Sequence, residues 1–160
     1  MKRNVKNPES IADHMYRMSV MAMLMEGSSA YDFAHCMKLA IVHDIAECIS
    51  GDITPTCGVS DEEKREMESK AMDSLEEMLG ECVAGKSMRA LWEEYEAGES
   101  EEAKLVKDFD KIEMIVQALE YEKAQPGVEL NEFFDSTAGK WRTPVGRAWA
   151  EAVYKERKDF

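Results

Sequence analysis

Leu39-Ala40-Ile41-Val42-His43-Asp44-Ile45-Ala46-Glu47 is an apolar run holding three groups that such a run should exclude. An ionisable side chain buried without a partner is strongly penalised or forced neutral. His43 and Asp44 therefore need partners inside the fold. A bound divalent cation is one such partner, because imidazole and carboxylate are both good ligands for it. A core histidine bonded to a neighbouring carboxylate would satisfy the same pair without an ion. On a helix Glu47, three residues after Asp44 and four after His43, falls near the same face as both.

The 160 residues are expected to form one domain spanning 1–160, long enough to bury a sizeable core. Hydrophobic residues make up 44% and charged residues 33%, which places the chain among globular rather than disordered sequences. The net charge of −13 argues against binding a nucleic acid polymer or an anionic membrane surface, since both need clustered Lys and Arg. It leaves room for a small phosphorylated ligand held by a metal and a few local cations. No apolar span reaches the roughly 18 residues of a membrane helix, and Met1-Lys2-Arg3-Asn4-Val5 lacks the apolar region of a signal peptide. The four cysteines, Cys36, Cys48, Cys57 and Cys82, show no CxxC spacing. A reduced intracellular compartment, the cytoplasm, is the simplest fit.

Working outward, the hydrophobic spacing predicts helices throughout and no strand. Asn7-Pro8-Glu9-Ser10 reads as a helix start capped by Asn7, with Ile11, Met15, Met18, Ala22 and Met25 inward and His14 at the stripe's edge. The opening stretch lies on a second helix over 31–49, expected to be central and to end at Gly51. Ser60-Asp61-Glu62-Glu63 is a capping box. The helix it opens has Met67, Ala71, Leu75, Met78 and Leu79 inward and its charges on a solvated face. A fourth helix carries Met88, Leu91, Trp92 and Tyr95, whose aromatics read as core or interface. A fifth, from Ser100 to about Gln125, turns Leu105, Val106, Phe109, Ile112, Ile115, Val116 and Leu119 inward, with Asp110 beside that face. A short segment around Phe133 and Phe134 and a last helix from Thr143-Pro144 complete the chain.

Metal-type residues thus stand on three helices: His14, then His43 with Asp44, then Asp110. Two of the three histidines belong to this set; His35 reads as exposed. This order resembles the HD-domain phosphohydrolases. Four stretches make the likeness closer: Pro8-Glu9-Ser10-Ile11-Ala12-Asp13-His14-Met15-Tyr16-Arg17-Met18, His43-Asp44-Ile45-Ala46-Glu47, Gly51-Asp52-Ile53-Thr54-Pro55 and Ser136-Thr137-Ala138-Gly139-Lys140. In that order they are similar to the HD-domain-containing protein 2 group, related to the bacterial 5′-deoxynucleotidases, over almost the whole chain.

The resemblance implies an all-α HD-domain bundle of about six or seven helices, usually a homodimer. The implied activity is hydrolysis of deoxyribonucleoside 5′-monophosphates to deoxynucleosides and phosphate. His14, His43, Asp44 and Asp110 would hold one divalent cation; Mn²⁺, Co²⁺, Fe²⁺, Zn²⁺ and Mg²⁺ are the candidates. Glu47 would match the acid near the scissile phosphate and Asp52 a second functional acid. Asp52, Ile53, Thr54 and Pro55 would form the loop that touches the nucleotide. Relatives carry an Arg and then Gly-Trp just upstream of the segment matching Lys2-Arg3-Asn4, and that Arg helps orient the phosphate. This sequence begins after that point, so it is expected either to lack a short segment or to bind phosphate through other cations, with Lys140, Arg17 and Arg3 as candidates.

The residues support the same chemistry independently. Two imidazoles and two carboxylates suit a borderline divalent ion with open positions for water and phosphate. Two other readings stay open: another HD-type nucleotide phosphohydrolase, which would need more cations for a longer phosphate chain, and a non-catalytic, metal-stabilised nucleotide-binding helical protein.

Overall fold

The computed structural model describes residues 5–160 apart from 26, 28, 29, 52, 54–57 and 81. The described residues form eight helices and no strand: α1 (Ile11–Met23), α2 (Phe33–Val42), α3 (Glu47–Ser50), α4 (Asp61–Leu79), α5 (Val83–Ala97), α6 (Glu101–Ala124), α7 (Asn131–Thr137) and α8 (Pro144–Asp159). The all-α expectation holds.

Helix starts follow side-chain chemistry. Ser60 and Glu63 form the expected reciprocal capping box on α4, Ser100 caps α6, and Thr143 caps α8 with Pro144 in its first turn. At α1 the start differs from the sequence reading. Ser10, not Asn7, is the cap, because Ser10 and Asp13 exchange side chain-to-backbone hydrogen bonds in a second capping box. Asn7 instead takes φ 52° and turns the chain ahead of Pro8.

The helix expected over 31–49 is two helices. After Val42 the backbone tightens: Ile45 N–H donates to Val42 O at 3.1 Å, and Glu47 N–H to Asp44 O at 3.0 Å. These three-residue spacings interrupt the α-helix at residues 43–46. The break falls on the His-Asp pair and separates it from Glu47 by a turn. Gly51 ends α3 at φ 76°, as expected of a glycine there.

The hub is α6, not α2. It packs against α1, α2, α5, α7 and α8, and its buried face runs from Ala103 through Leu105, Phe109, Ile112 and Ile115 to Leu119. Phe109 stacks on Trp149 of α8 with ring centroids 5.3 Å apart. Asp108, fully buried on the same helix, fastens α8: its carboxylate accepts hydrogen bonds from the backbone N–H groups of Arg142 and Thr143 and from the Thr143 hydroxyl. An anion there also faces the positive end of the α8 dipole.

Helix α4 presents a different face from the one its methionines suggest. Met67, Met78 and Leu79 are exposed, whereas Glu68, Ala71 and Met72 are buried. Ala71 and Met72 pack with Val42, Ala46 and Trp92, so α4 covers the turn that carries His43 and Asp44. Lys64 and Glu68 are thereby turned toward that turn instead of toward bulk solvent.

Candidate metal centre

Three helices deliver the predicted residues to one place. His14 comes from the first turn of α1, Asp110 from the middle of α6, and His43 from the end of α2. Each of the three offers one ligand atom, and these atoms lie within 4.8 Å of one another. Asp44 Oδ2 adjoins them, 3.1 Å from His43 Nε2 and 3.9 Å from His14 Nε2.

The histidine tautomers follow from their outer partners. His43 Nδ1 lies 2.9 Å from Ala40 O, a carbonyl that can only accept, so Nδ1 carries the proton and Nε2 presents a lone pair. His43 Nε2 is buried without a hydrogen-bond partner, although Asp44 is close. His14 Nδ1 lies 2.6 Å from Glu113 Oε2, which turns His14 Nε2 toward Asp110 Oδ1 at 3.5 Å. Asp110 in turn accepts a hydrogen bond from the Tyr95 hydroxyl at 2.8 Å. Two imidazole nitrogens, one of them an orphaned buried lone pair, and two carboxylates fit a divalent cation of borderline softness. Glu113 behind His14 and Tyr95 behind Asp110 are the outer partners that orient such ligands.

Without an ion the cluster attracts protons. Burial opposes charge on His14, but Asp110 and Glu113 outweigh it and push its pKa up to about 10. His43 is likewise raised by Asp44 and Asp110 against the cost of burial. Burial would raise the Asp110 carboxyl, yet His14, His43 and Tyr95 hold it well below the usual range. Burial, with Asp110 beside it, pushes the Tyr95 hydroxyl well up, so it stays a donor.

Two cavities open on the cluster. One, of about 460 Å³, is largely apolar, with Val5, Ile11, Met114, Leu130 and Phe133 in its walls and His14, Glu47 and Glu113 among its polar groups. The other, of about 300 Å³, is polar and is lined by His43, Lys64, Arg65, Glu68, Tyr95, Glu96 and Lys107. Asp44 and Asp110 line both.

The remaining sequence-predicted residues divide. Glu47 is buried in the wall of the apolar cavity, with Lys64 Nζ 3.8 Å from its Oε1. Asp52, Thr54 and Pro55 lie outside the described residues, as does Arg3; Ile53 is half-buried and lines neither cavity. Lys140 stands exposed in the turn after α7 and lines neither cavity, so its closeness in sequence to the Ser136-Thr137 motif does not carry it to the cluster. Arg17 is taken up by Glu113 and Glu120, each at 2.9 Å. His35 bonds Glu94 at 2.8 Å, away from the cluster.

Sequence reasoning missed Glu113, Tyr95 and Glu9. The signal for Glu113 was an acid directly after the inward residue Ile112, two before Ile115 and three after Asp110. Glu9 also belongs to the neighbourhood: it joins His14 and Glu113 in a second group of close ligand-type atoms, and its carboxyl is pushed up to about 7 by burial and by Glu113.

A family model described as an HD domain matches residues 1–149. The chain is 48% identical over 157 residues to a 5′-deoxynucleotidase HDDC2 of Danio rerio, covering 97% of this chain and 77% of that protein. It is 44% identical over 161 residues to the 5′-deoxynucleotidase hdd1 of Schizosaccharomyces pombe, covering 98% and 80%. Among solved structures, the HD domain-containing protein YGK1 superposes with a TM-score of 0.72 at 30% identity, over 94% of this chain and 79% of that one.

Proposed function

The chain belongs to the HD-domain family, and from that membership and its site geometry we propose how it hydrolyses deoxyribonucleoside 5′-monophosphates to deoxynucleosides and inorganic phosphate. It is a metal-dependent phosphomonoester hydrolase of the 5′-deoxynucleotidase kind. The observation that carries the site assignment is His43 Nε2, bare and buried beside His14, Asp44 and Asp110 where two cavities meet.

His14, His43, Asp44 and Asp110 would hold one divalent cation, and Mn²⁺, Co²⁺, Fe²⁺ and Zn²⁺ suit this donor set better than Mg²⁺. When bound, such an ion screens the phosphate charge and acidifies water. Uncatalysed monoester hydrolysis has one of the highest known barriers, so charge stabilisation and positioning must supply most of the rate. The apolar cavity suits a nucleoside, with Phe133 and Tyr121 available to a base. Glu47, buried in that cavity's wall on the nucleoside side, would manage the proton on the departing O5′. The loop after Gly51, with Asp52 and Ile53-Thr54-Pro55, would contact the nucleotide. A homodimer and a cytoplasmic location complete the reading; among the described residues no helix is long and apolar enough to cross a membrane.

The test is a phosphate-release screen of nucleoside mono-, di- and triphosphates with each of several metals. Release from deoxynucleoside monophosphates alone is the expected result. Release from triphosphates would favour another HD-type phosphohydrolase, and release from none a binding protein.

A further inference from the structure

The two cavities differ in chemistry and share a wall. His14 faces the apolar one, His43 the polar one, and Asp44 and Asp110 face both. The candidate metal centre is therefore a partition with two openings. The polar opening holds cations that the fold has brought in deliberately. Lys64 reaches it because α4 turns that face inward, and Lys107 because it precedes Asp110 by one helical turn on α6.

The two ammonium groups are held differently: Lys64 is paired with Glu68, and Lys107 has no carboxylate within hydrogen-bond reach among its ion pairs. Lys107 Nζ sits 3.9 Å from the Tyr95 ring centroid and 3.9 Å from Glu96 Oε1, beyond hydrogen-bond reach of that carboxylate. Lys64 Nζ stands 3.3 Å from Glu68 Oε1 and 3.8 Å from Glu47 Oε1. Arg65 is exposed at the rim. The flanking acids hold both lysines at the cavity, and each ammonium has three N–H groups, more than these contacts use.

We propose that the polar cavity is the phosphate side of the centre, where Lys64 and Lys107 bind the phosphoryl group and then the free phosphate that leaves through this opening. The proposal rests on the reading of the site as a 5′-deoxynucleotidase. In-line displacement places the entering water opposite the departing O5′. With the nucleoside in the apolar cavity, water approaches phosphorus from the polar side. One water O–P bond forms, the P–O5′ bond breaks with its electron pair to O5′, and the water's proton ends on the deoxynucleoside hydroxyl. Phosphate then remains on the lysine side and the deoxynucleoside on the other, so the two products dissociate through different openings.

The test measures the two products separately on the metal-loaded protein. Inorganic phosphate is titrated calorimetrically, and phosphate and deoxynucleoside are each tested as product inhibitors. Lys107→Met and Lys64→Met should each weaken phosphate, in Kd and in inhibition constant, by about tenfold, the size expected for one charged hydrogen bond. The deoxynucleoside inhibition constant should stay within about twofold of the parent. Lys107→Arg should restore most of the phosphate affinity. Unchanged phosphate constants in both variants, or equal weakening of both products, would overturn the proposal. Should Lys107→Met fail to fold, Lys64→Met on the outer helix decides alone. The calorimetric arm needs no turnover, so failure of the nucleotidase reading would show as absent hydrolysis while the anion site is still judged by phosphate binding.

Discussion

His14 Nδ1 and Glu113 Oε2 lie 2.6 Å apart, linking the first turn of α1 to the buried face of α6. Glu113 therefore fixes which His14 nitrogen faces the cluster, and it raises that ring's basicity. Glu113→Gln preserves shape and removes the charge, so it should lower metal affinity by about 10- to 100-fold without abolishing binding. Metal titration with activity as readout should show full recovery at high metal. Loss that no metal concentration rescues would instead place Glu113 among the groups acting on substrate.

Metal binding should depend steeply on pH. His14 must be neutral to ligate, yet in the metal-free site its pKa is pushed up to about 10, against burial, by Asp110 and Glu113. Each ion must then displace a proton at neutral pH, and affinity should rise by about tenfold per pH unit for each proton released. The metal-free protein has the opposite slope. Protonated His14 stabilises the fold fully below its unfolded pKa of about 6.5, and that stabilisation is lost as pH climbs toward the folded value. Thermal melts between pH 6.5 and 9 should show the metal-free Tm falling while the stabilisation gained on adding metal grows. Parallel curves would contradict a protonated His14.

Asp108 offers a control that leaves the cluster alone. Asp108→Ala strands the N–H groups of Arg142 and Thr143 that its carboxylate now accepts. The fold should lose about 3 kcal/mol, the cost of orphaned buried donors and a lost charged acceptor. Denaturant unfolding measures the loss, and metal affinity of the folded fraction should be unaffected. Gly146→Ala should be as damaging, since a Cβ there would collide with the Asp108 carboxylate.

How much of this was legible in sequence depended on contrast with the surroundings. His43 and Asp44 stood out because the residues around them are apolar, and the break of α2 at those residues was hidden by the same uniform apolarity. Asp110 was visible as an acid beside a strong stripe. Glu113 sat beside the same stripe and was not singled out, because an acid at a stripe's edge reveals nothing of a partner on another helix. On α4 the charges lie all around, so a rotation of one residue, about 100°, exchanges one plausible face for another. Packing of Ala71 and Met72 against Trp92 and Val42 selected the face that carries Lys64 and Glu68 inward. Tyr95 read as core or interface because its hydroxyl partner, Asp110, is supplied only by the tertiary fold.

Glu47 separates a ligand from a catalyst. It begins α3, one turn beyond the His-Asp pair, and is buried in the apolar cavity's wall while Asp44 and Asp110 face both cavities. Glu47 and Asp44 both lie outside the group of His14, His43 and Asp110 atoms within 4.8 Å of one another. Asp44 Oδ2 adjoins that group at 3.1 Å from His43 Nε2, whereas the ion pair of Glu47 is with Lys64. Removing Glu47 should therefore leave the ion in place. Glu47→Ala should retain stoichiometric metal by elemental analysis and keep the metal-dependent rise in Tm, because that rise comes from binding to the native state alone. Turnover should fall by about 10²–10⁴-fold, the range for a group that moves a proton in the transition state. Glu47→Gln, which keeps size and hydrogen bonding but cannot transfer a proton, should be nearly as impaired. A glutamine variant with near-parental kcat would reduce Glu47 to a structural wall, and loss of metal in either variant would make it a ligand.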